Sequence, residues 1–530
     1  AFGVPIAGTV LGSFIFGIYE YFVLLTHAPA QTRIGLVFAT IALFFGLTFF
    51  LYSLKYYLSV ILVLLAPAGA GAKQKIGLIE DLTGVKLENH PFVSIHIPLY
   101  NEKKVAERIL KATISLEYPK DKFEIIVVDD STDGTTEIVK SFEAETENSK
   151  VKVIHRPTRE GFKGGALEVA RKATDSQAEY ILIFDADFIP FPDTITQFLK
   201  YFQLAETQNP TYDPVSSSSK IAAIQGYQWH VLNKSENWIT RGVRSEYAGS
   251  YVVERSATEI YSGIKMIAGS VYCIKRAILD QFGWGTSLTE DFQLTLRLYE
   301  AGYKVIYTPY IQTPAEAVST VRRFIRQRMR WAEGHTFNIK KLASGLLTSR
   351  NLTLKEKLEF AYLAPYYLQA CFFMLGTFSW FVSEAIFHTR LPFWTATLGW
   401  SLVFTNFLAL PLMNTLGLFL EEAEKKDYFG IFSFIALAYI VTPFQAYAAI
   451  KGLIENQEGP WFRTPKTGII TDVISRVKLG FWWRKLWPFS QPATIPAIQQ
   501  FSNLAIQPPI VKLSYGQIAQ LSNSGKRRLP

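Results

Sequence analysis

Between Asp129 and Trp331 four short groups of carboxylate, basic and aromatic residues follow one another: Asp129-Asp130-Ser131, Asp185-Ala186-Asp187, Thr289-Glu290-Asp291 and Gln327-Arg328-Met329-Arg330-Trp331. Carboxylates of this kind can hold a metal ion or take up a proton, and an arginine beside a tryptophan can grip phosphate and offer a flat face to a ligand. The middle pair constrains the chemistry most. In an extended backbone residues i and i+2 share a face, so Asp185 and Asp187 repel one another unless a cation joins them. Oxygen-only ligation suits Mg²⁺ or Mn²⁺, which keep waters and take up substrate phosphates. Asp129 and Asp130 also admit a plainer reading, as turn formers or helix caps.

These residues need elements to hold them. Phe92 to Ile97 is a β-rich run ending at Pro98, and 103–116 shows helical spacing. Phe123 to Val128 is a second strand, ending in Asp129 and Asp130, with Ser131 or Asp133 to cap the next helix. Val151 to Ile154 and Tyr180 to Phe184 repeat the pattern around a helix over Gly164 to Ala173. Alternating strands and helices predict a mostly parallel α/β sheet whose ligands bind at the carboxyl ends of the strands. Asp129, Asp130, Asp185 and Asp187 all fall there.

The chain has 530 residues, too many for one hydrophobic core. Its hydrophobic content, 49% of residues, is concentrated in the first 66 residues and in 358–453, while the middle has the polarity of a soluble domain. Residues 4–26 and 34–66 are each long enough to span a bilayer. Glu20 in the first is costly unless it lies near an interface or faces protein. Segments 361–387, 392–420 and 431–453 are further candidates, with basic flanks that favour the cytosol. Three true spans there would put residues after Leu453 on the side away from the catalytic domain. Pro443 and Gln445 interrupt 431–453, so this segment is expected to lie in the membrane plane or to re-enter; three plain spans with an external loop is the alternative.

The net charge of +9 comes with no helix of clustered Lys and Arg, no zinc spacing and no RNA-binding signature, which argues against nucleic acid. A basic excess on a membrane protein sits on the cytosolic face near anionic lipid. Two cysteines, Cys273 and Cys371, and seven scattered histidines give no disulfide framework and no zinc site.

With these motifs in view, the stretch from about Pro91 to Lys466 resembles the inverting, membrane-integrated family 2 glycosyltransferases, the group that includes cellulose, mannan, glucomannan, chitin and hyaluronan synthases. The resemblance implies a GT-A nucleotide-sugar fold on a membrane platform. It implies that Pro98, Tyr100, Asn101 and Glu102 lie against the base, that Asp129 contacts the nucleoside, and that Lys163 in Phe162-Lys163-Gly164-Gly165 contacts the nucleotide. Asp185 would bind the nucleotide sugar and, with Asp187, the Mg²⁺ or Mn²⁺. Asp291, with Glu290 beside it, matches the general base, although a helix-cap role for Asp291 is the plain alternative. Gln327, Arg330 and Trp331 match the QxxRW motif, in which Arg330 grips phosphate and Trp331 offers a flat face to an acceptor sugar. Gly269 and Ser270 resemble a small-residue element near the acceptor. Phe462, Arg463, Thr464 and Lys466 resemble a mobile gating loop that closes over bound nucleotide. Arg156, Arg159, Trp229 and Arg241 are site candidates from their place beside the motifs.

The expected organisation is therefore two N-terminal transmembrane helices (1–70), a cytosolic GT-A domain (71–335), an interfacial amphipathic region (336–358), transmembrane or re-entrant helices (359–456), the gating loop (457–470), and an interfacial segment with a poorly ordered tail (471–530). The expected reaction is hexose transfer from a UDP- or GDP-linked sugar to a growing β-glycan at the plasma membrane or a Golgi-type membrane. Single addition to a lipid such as diacylglycerol or ceramide is the alternative, and a silent synthase or export scaffold a third reading. Expected partners are the donor, a glycan or lipid acceptor, the membrane and an accessory export subunit.

Overall fold

A computed structural model describes residues 3–65, 75–146, 151–207, 220–393, 396–472 and 474–477. The expected tail beyond 477, with its aromatic and basic stretch Phe481 to Trp487, lies outside the described residues. Two helices come first, α1 (Gly3–His27) and α2 (Ala30–Leu65). There follow β1 (Phe92–Leu99), α3 (Ala106–Ile114), β2 (Phe123–Asp129), α4 (Thr135–Glu145), β3 (Val151–His155), α5 (Phe162–Ala173), β4 (Ala178–Ile183) and α6 (Thr194–Thr207). The second half of the domain has β5 (Lys220–His230), α7 (Trp238–Tyr247), a π-helical stretch Ala248–Glu254, α8 (Arg255–Tyr261), β6 (Tyr272–Lys275), α9 (Arg276–Phe282), α10 (Glu290–Glu300) and β7 (Tyr303–Ala315). The chain ends in α11 (Val321–Thr348), α12 (Leu354–Leu363), α13 (Gln369–Phe381), α14 (Ala396–Leu420) and α15 (Gly430–Ile454).

The seven strands form one sheet in the order β3-β2-β1-β4-β6-β5-β7. It is parallel except at β6, which runs antiparallel to both β4 and β5. The expected strands are all present. β1 runs through Pro98 instead of stopping before it, and the ladder explains why. Pairing with β4 ends at His96, whose carbonyl accepts from the Phe184 amide, while pairing with β2 continues to Leu99. The amide that proline lacks would point to the β4 side, where no partner remains. Ile95 and Ile97 are fully buried beneath the sheet, each contributing roughly 1.5–3 kcal/mol of transfer free energy. Helix α5 starts at Phe162, two residues earlier than its apolar spacing suggests, because Gly161 turns the chain at φ 67°.

Among the described residues three helices are long and apolar enough to cross a membrane: Ala30–Leu65, Gly399–Leu420 and Lys425–Ile454. The apolar run 361–387 is broken by a turn between α12 and α13, and α13 continues as a π-helical stretch, Val382–Ile386. Helix α2 packs on α13 and α14, whereas α15 packs chiefly on α7 and α11 of the sheet-bearing region. Both ends of α15 are tied to that region. Before its start, Lys234 Nζ reaches Glu424 and Asp427 at 2.9 and 2.8 Å; near its end, Lys451 Nζ reaches Glu333 at 2.9 Å. The helix continues unbroken through Pro443 and lies along α7 and α11.

Candidate active site

The carboxyl ends of β1, β2 and β4 open into a cavity of about 430 Å³. It is walled on its other sides by the start of α10, by α11 and by the chain that follows α15. Pro98, Tyr100, Glu102, Lys163, Asp185, Asp187, Gly269, Glu290, Asp291, Gln327, Arg330, Trp331, Arg463, Thr464 and Lys466 all line it. Asn101, Asp129, Ser270 and Phe462 do not. Asn101, at φ 57°, uses its side-chain oxygen to hold the Thr132 amide at 2.7 Å. Asp129 is fully buried behind the wall and bonded to His155 Nδ1 (2.9 Å), the Thr136 hydroxyl (2.6 Å) and the Ser131 amide. Its neighbour Asp130 reaches the wall, gripped by Arg156. The Ser270 hydroxyl accepts from the Asp185 amide at 2.9 Å and so fixes the end of β4.

Lys163, one residue into α5, is the hub. Its Nζ lies 2.7 Å from Asp185 Oδ1 and 3.5 Å from Glu290 Oε1, and donates to the Gly269 carbonyl at 2.7 Å. Burial opposes its charge, but the surrounding carboxylates win and hold the ammonium above its ordinary range. Burial raises the Glu290 carboxyl to about 7 against the pull of Lys163. It raises Asp291 too, again with Lys163 opposing. Asp291 sits in the first turn of α10 and its carboxylate accepts from the Phe292 amide at 2.9 Å. Thr289, at the N-cap position of α10, makes no side-chain capping bond.

The segment 457–470 folds into the cavity. Lys466 Nζ lies 2.7 Å from Asp187 Oδ2, and Arg463 holds Glu102 at 3.1 Å. Behind them Glu316, paired with Arg108 at 2.7 Å, accepts from the amides of Thr467 and Gly468. Glu458 accepts from the Ser287 hydroxyl and the Leu288 amide, stapling the start of the segment beside α10. Burial would raise Asp187, yet Lys466 outweighs it and holds the carboxyl low. Glu102 is pushed up to about 7, burial here exceeding the effect of Arg463.

Asp185 and Asp187 thus each carry one ammonium, Lys163 and Lys466, instead of facing each other across empty space. Among the described residues no group of three or more His, Cys, Asp or Glu side chains could hold a metal. Two carboxylates with open positions are nonetheless the donor set that Mg²⁺ or Mn²⁺ uses when phosphates and water complete its shell, so the residues fit such an ion.

Arg330 donates to the Leu288 carbonyl at 3.1 Å and keeps its Nε buried without a partner. Trp331 is faced by Arg328 at 4.5 Å, and Arg328 is anchored by Glu246 at 2.6 Å. The sheet order and the direction of β6 match the mixed α/β sheet of GT-A enzymes, and the comparisons agree. Residues 90–334 match the family described as Glycosyltransferase like family 2. The chain carries a family 2 glycosyltransferase domain. Over 390 residues it is 28% identical to a probable glycosyltransferase, YdaM, of Bacillus subtilis, covering 71% of this chain and 87% of that protein. It is 32% identical over 295 residues to a probable glucomannan 4-beta-mannosyltransferase of Oryza sativa subsp. japonica, covering 53% of this chain and 48% of that one. A solved mannosyltransferase from Pyrobaculum calidifontis, in complex with GDP-Man and Mn²⁺, shares the fold at a TM-score of 0.50 and 18% identity, covering 81% of this chain and all of that one.

Several further residues line the cavity without belonging to any of the motifs. His230, at the end of β5, is pushed down to about 3 by burial and by Lys466. Trp461 lies against both Arg159 and Arg330; its place one residue before Phe462 was the only signal. Tyr247, Tyr251, Glu254, Glu359 and Lys55 extend the lining toward α2, and no motif marked them. Of the four further candidates only Arg159 lines the cavity. Trp229 turns away to donate to Glu421, and Arg241 also stands outside it.

Proposed function

We propose that this chain transfers a hexose, with inversion, from a UDP- or GDP-linked sugar to a growing β-linked polysaccharide at a membrane. The observation that carries the reading is the meeting, in one cavity, of Asp185, Asp187, Asp291 and Arg330 with the two cations of the segment 457–470. The acceptor hydroxyl gives its proton to Asp291, and its oxygen attacks the anomeric carbon from the face opposite the diphosphate. The bond from that carbon to the diphosphate breaks and its electron pair leaves on the phosphate oxygen. Arg330, Lys163 and the basic segment compensate the charge that develops there. Asp185 and Asp187 would hold Mg²⁺ or Mn²⁺, which would supply further charge compensation to the leaving diphosphate. Trp331 would carry the acceptor sugar on its flat face.

The relatives support a polysaccharide product: several are named glucomannan 4-beta-mannosyltransferases, including one of Arabidopsis thaliana, 26% identical and covered over 67% of its length. The coverage of the first relatives runs from 48% to 87% of their lengths. The catalytic domain would lie in the cytosol, with α2 crossing the membrane, α13 and α14 crossing it out and back, and α15 in its plane. This arrangement keeps 457–470 on the catalytic side and is supported by the ties of both ends of α15 to Lys234 and Glu333.

The test is release of nucleotide diphosphate by detergent-purified protein with Mg²⁺ or Mn²⁺ across a panel of UDP- and GDP-sugars, with products sized by chromatography. A ladder of oligomers from one donor is the expected result. A single glycolipid band would replace the polymer by a lipid acceptor, and product output in cells unaffected by Asp291→Asn would overturn the enzymatic reading.

A further inference from the structure

Resting on the nucleotide-sugar reading, we infer that Arg159 reads the edge of the donor's base, and that its free fork fits guanine rather than uracil. The guanidinium of Arg159 lies against two rings, 3.6 Å from the centroid of Tyr100 and 4.2 Å from that of Trp461. Its charge is not spent on a close ion pair. The nearest carboxylate oxygen, Asp130 Oδ2, is 4.0 Å from Nε, and Nε is buried without a hydrogen-bond partner. Trp461 Nε1 is likewise buried and unpartnered. Four neighbouring cations are engaged in ion pairs: Lys163 with Asp185, Lys466 with Asp187, Arg463 with Glu102, and Arg156, behind the wall, with Asp130, while Arg330 donates to the Leu288 carbonyl. Two unmet donors held in one aromatic slot point to a planar ligand with acceptors on its rim.

Sheet order places this slot at the base end of the cavity. Asp185 and Asp187 follow β4, whereas Arg159 follows β3, the far edge of the order β3-β2-β1-β4, and touches Tyr100 after β1 and approaches Asp130 after β2. A diphosphate held near Asp185 therefore leaves its nucleoside pointing toward Tyr100, Arg159 and Trp461. There the two rings, set at 74° to one another, form a corner around the guanidinium, and its N–H edge is what meets the base. A guanidinium fork matches two adjacent acceptors, and guanine presents O6 and N7 side by side. Uracil presents O4 next to an N–H donor, which meets the fork with only one acceptor.

The experiment is calorimetric titration of the full-length protein, in detergent with Mn²⁺, by GDP, 7-deaza-GDP and UDP. The second probe keeps O6 and replaces N7 by carbon. GDP is expected to bind at least about 10-fold tighter than either other nucleotide, the size of one bidentate base contact. In Arg159→Lys, which keeps the charge and loses the fork, GDP and 7-deaza-GDP should bind within about two-fold of each other. UDP binding as tightly as GDP, or a 7-deaza penalty that survives in Arg159→Lys, overturns the assignment. The wild-type comparison of GDP with 7-deaza-GDP is independent of how the variant folds. Transfer from a UDP-sugar would sink this inference and leave the proposed reaction standing, whereas absence of binding and turnover with every nucleotide would sink both.

Discussion

Gly269 faces Asp291 so closely that a Cβ on the glycine would stand 3.2 Å from Asp291 Oδ2 and 3.4 Å from Lys163 Nζ. The glycine also sits at φ 74°, where a side chain is strained. Its carbonyl is the one that receives the Lys163 ammonium. Gly269→Ala is therefore expected to displace the proposed base and its neighbouring cation together. Because small shifts of a reacting group are costly, kcat should fall by about 10- to 100-fold. The donor KM is expected to rise as well, because Lys163 pairs with Asp185 where the diphosphate is proposed to bind. Steady-state kinetics decide it: a variant with wild-type kcat would show that Asp291 tolerates the intrusion and is not held by this contact.

The raised carboxyls of Glu290 and Asp291 set the expected pH dependence. A base must be unprotonated to act, so activity is lost as pH falls through its folded-state pKa. Burial has raised that value for Asp291, and the adjacent Glu290 is pushed to about 7. The acidic limb of kcat/KM should therefore lie above the ordinary aspartate range near 3.8, with the two carboxyls titrating as a pair. Asp291→Asn should lower kcat by about 10²–10⁴-fold and abolish that limb. A limb unchanged in the Asn variant would assign it to another group.

The strand-helix alternation was legible because each parallel strand is a short apolar run ending in a turn, and the motif carboxylates fall at those ends. Ser94 to Ile97 and Phe123 to Val128 could be placed for that reason. Which of two adjacent carboxylates faces the ligand was not legible. At the end of β2, Asp129 is consumed by His155, Thr136 and Ser131, while Asp130 takes the wall, and a strand that ends at this point gives no periodic signal for which side chain turns in. The lining near Lys55, Glu254 and Glu359 comes from three elements far apart in sequence, and no spacing rule joins them. The position of α15 was half legible: Pro443 and the parity of spans raise the question, but the ties of its two ends to Lys234 and Glu333 join residues far apart in sequence that no spacing rule connects.

Lys466 and Asp187 give a prediction about the segment 457–470. The pair is buried at 2.7 Å, while the amides of Thr467 and Gly468 are held separately by Glu316. Lys466→Met removes one partner and leaves the Asp187 charge buried. Loss of such a pair costs about 2–5 kcal/mol, which should raise amide exchange across 463–468 by about 30-fold or more. Hydrogen–deuterium exchange followed by mass spectrometry reads this without any substrate. Exchange equal to wild type would mean that Glu316 alone holds the segment closed.

Glu421 joins the end of α14 to the sheet. One carboxylate oxygen accepts from the Tyr227 hydroxyl; the other accepts from Trp229 Nε1 at 3.0 Å and from Arg244. Arg244 Nε and Nη1 are already buried without partners, so its positive charge depends on this one carboxylate. Glu421→Gln preserves the shape and removes the charge, leaving an uncompensated guanidinium in the interior. The expected loss is about 3–5 kcal/mol, seen as a lower thermal midpoint in detergent. A reciprocal change separates charge from packing: Glu421→Met combined with Arg244→Met removes both charges at similar volume and should recover most of the loss. If the double variant is no more stable than Glu421→Gln, the hydrogen bonds to Tyr227 and Trp229, and not the ion pair, hold α14 against β5.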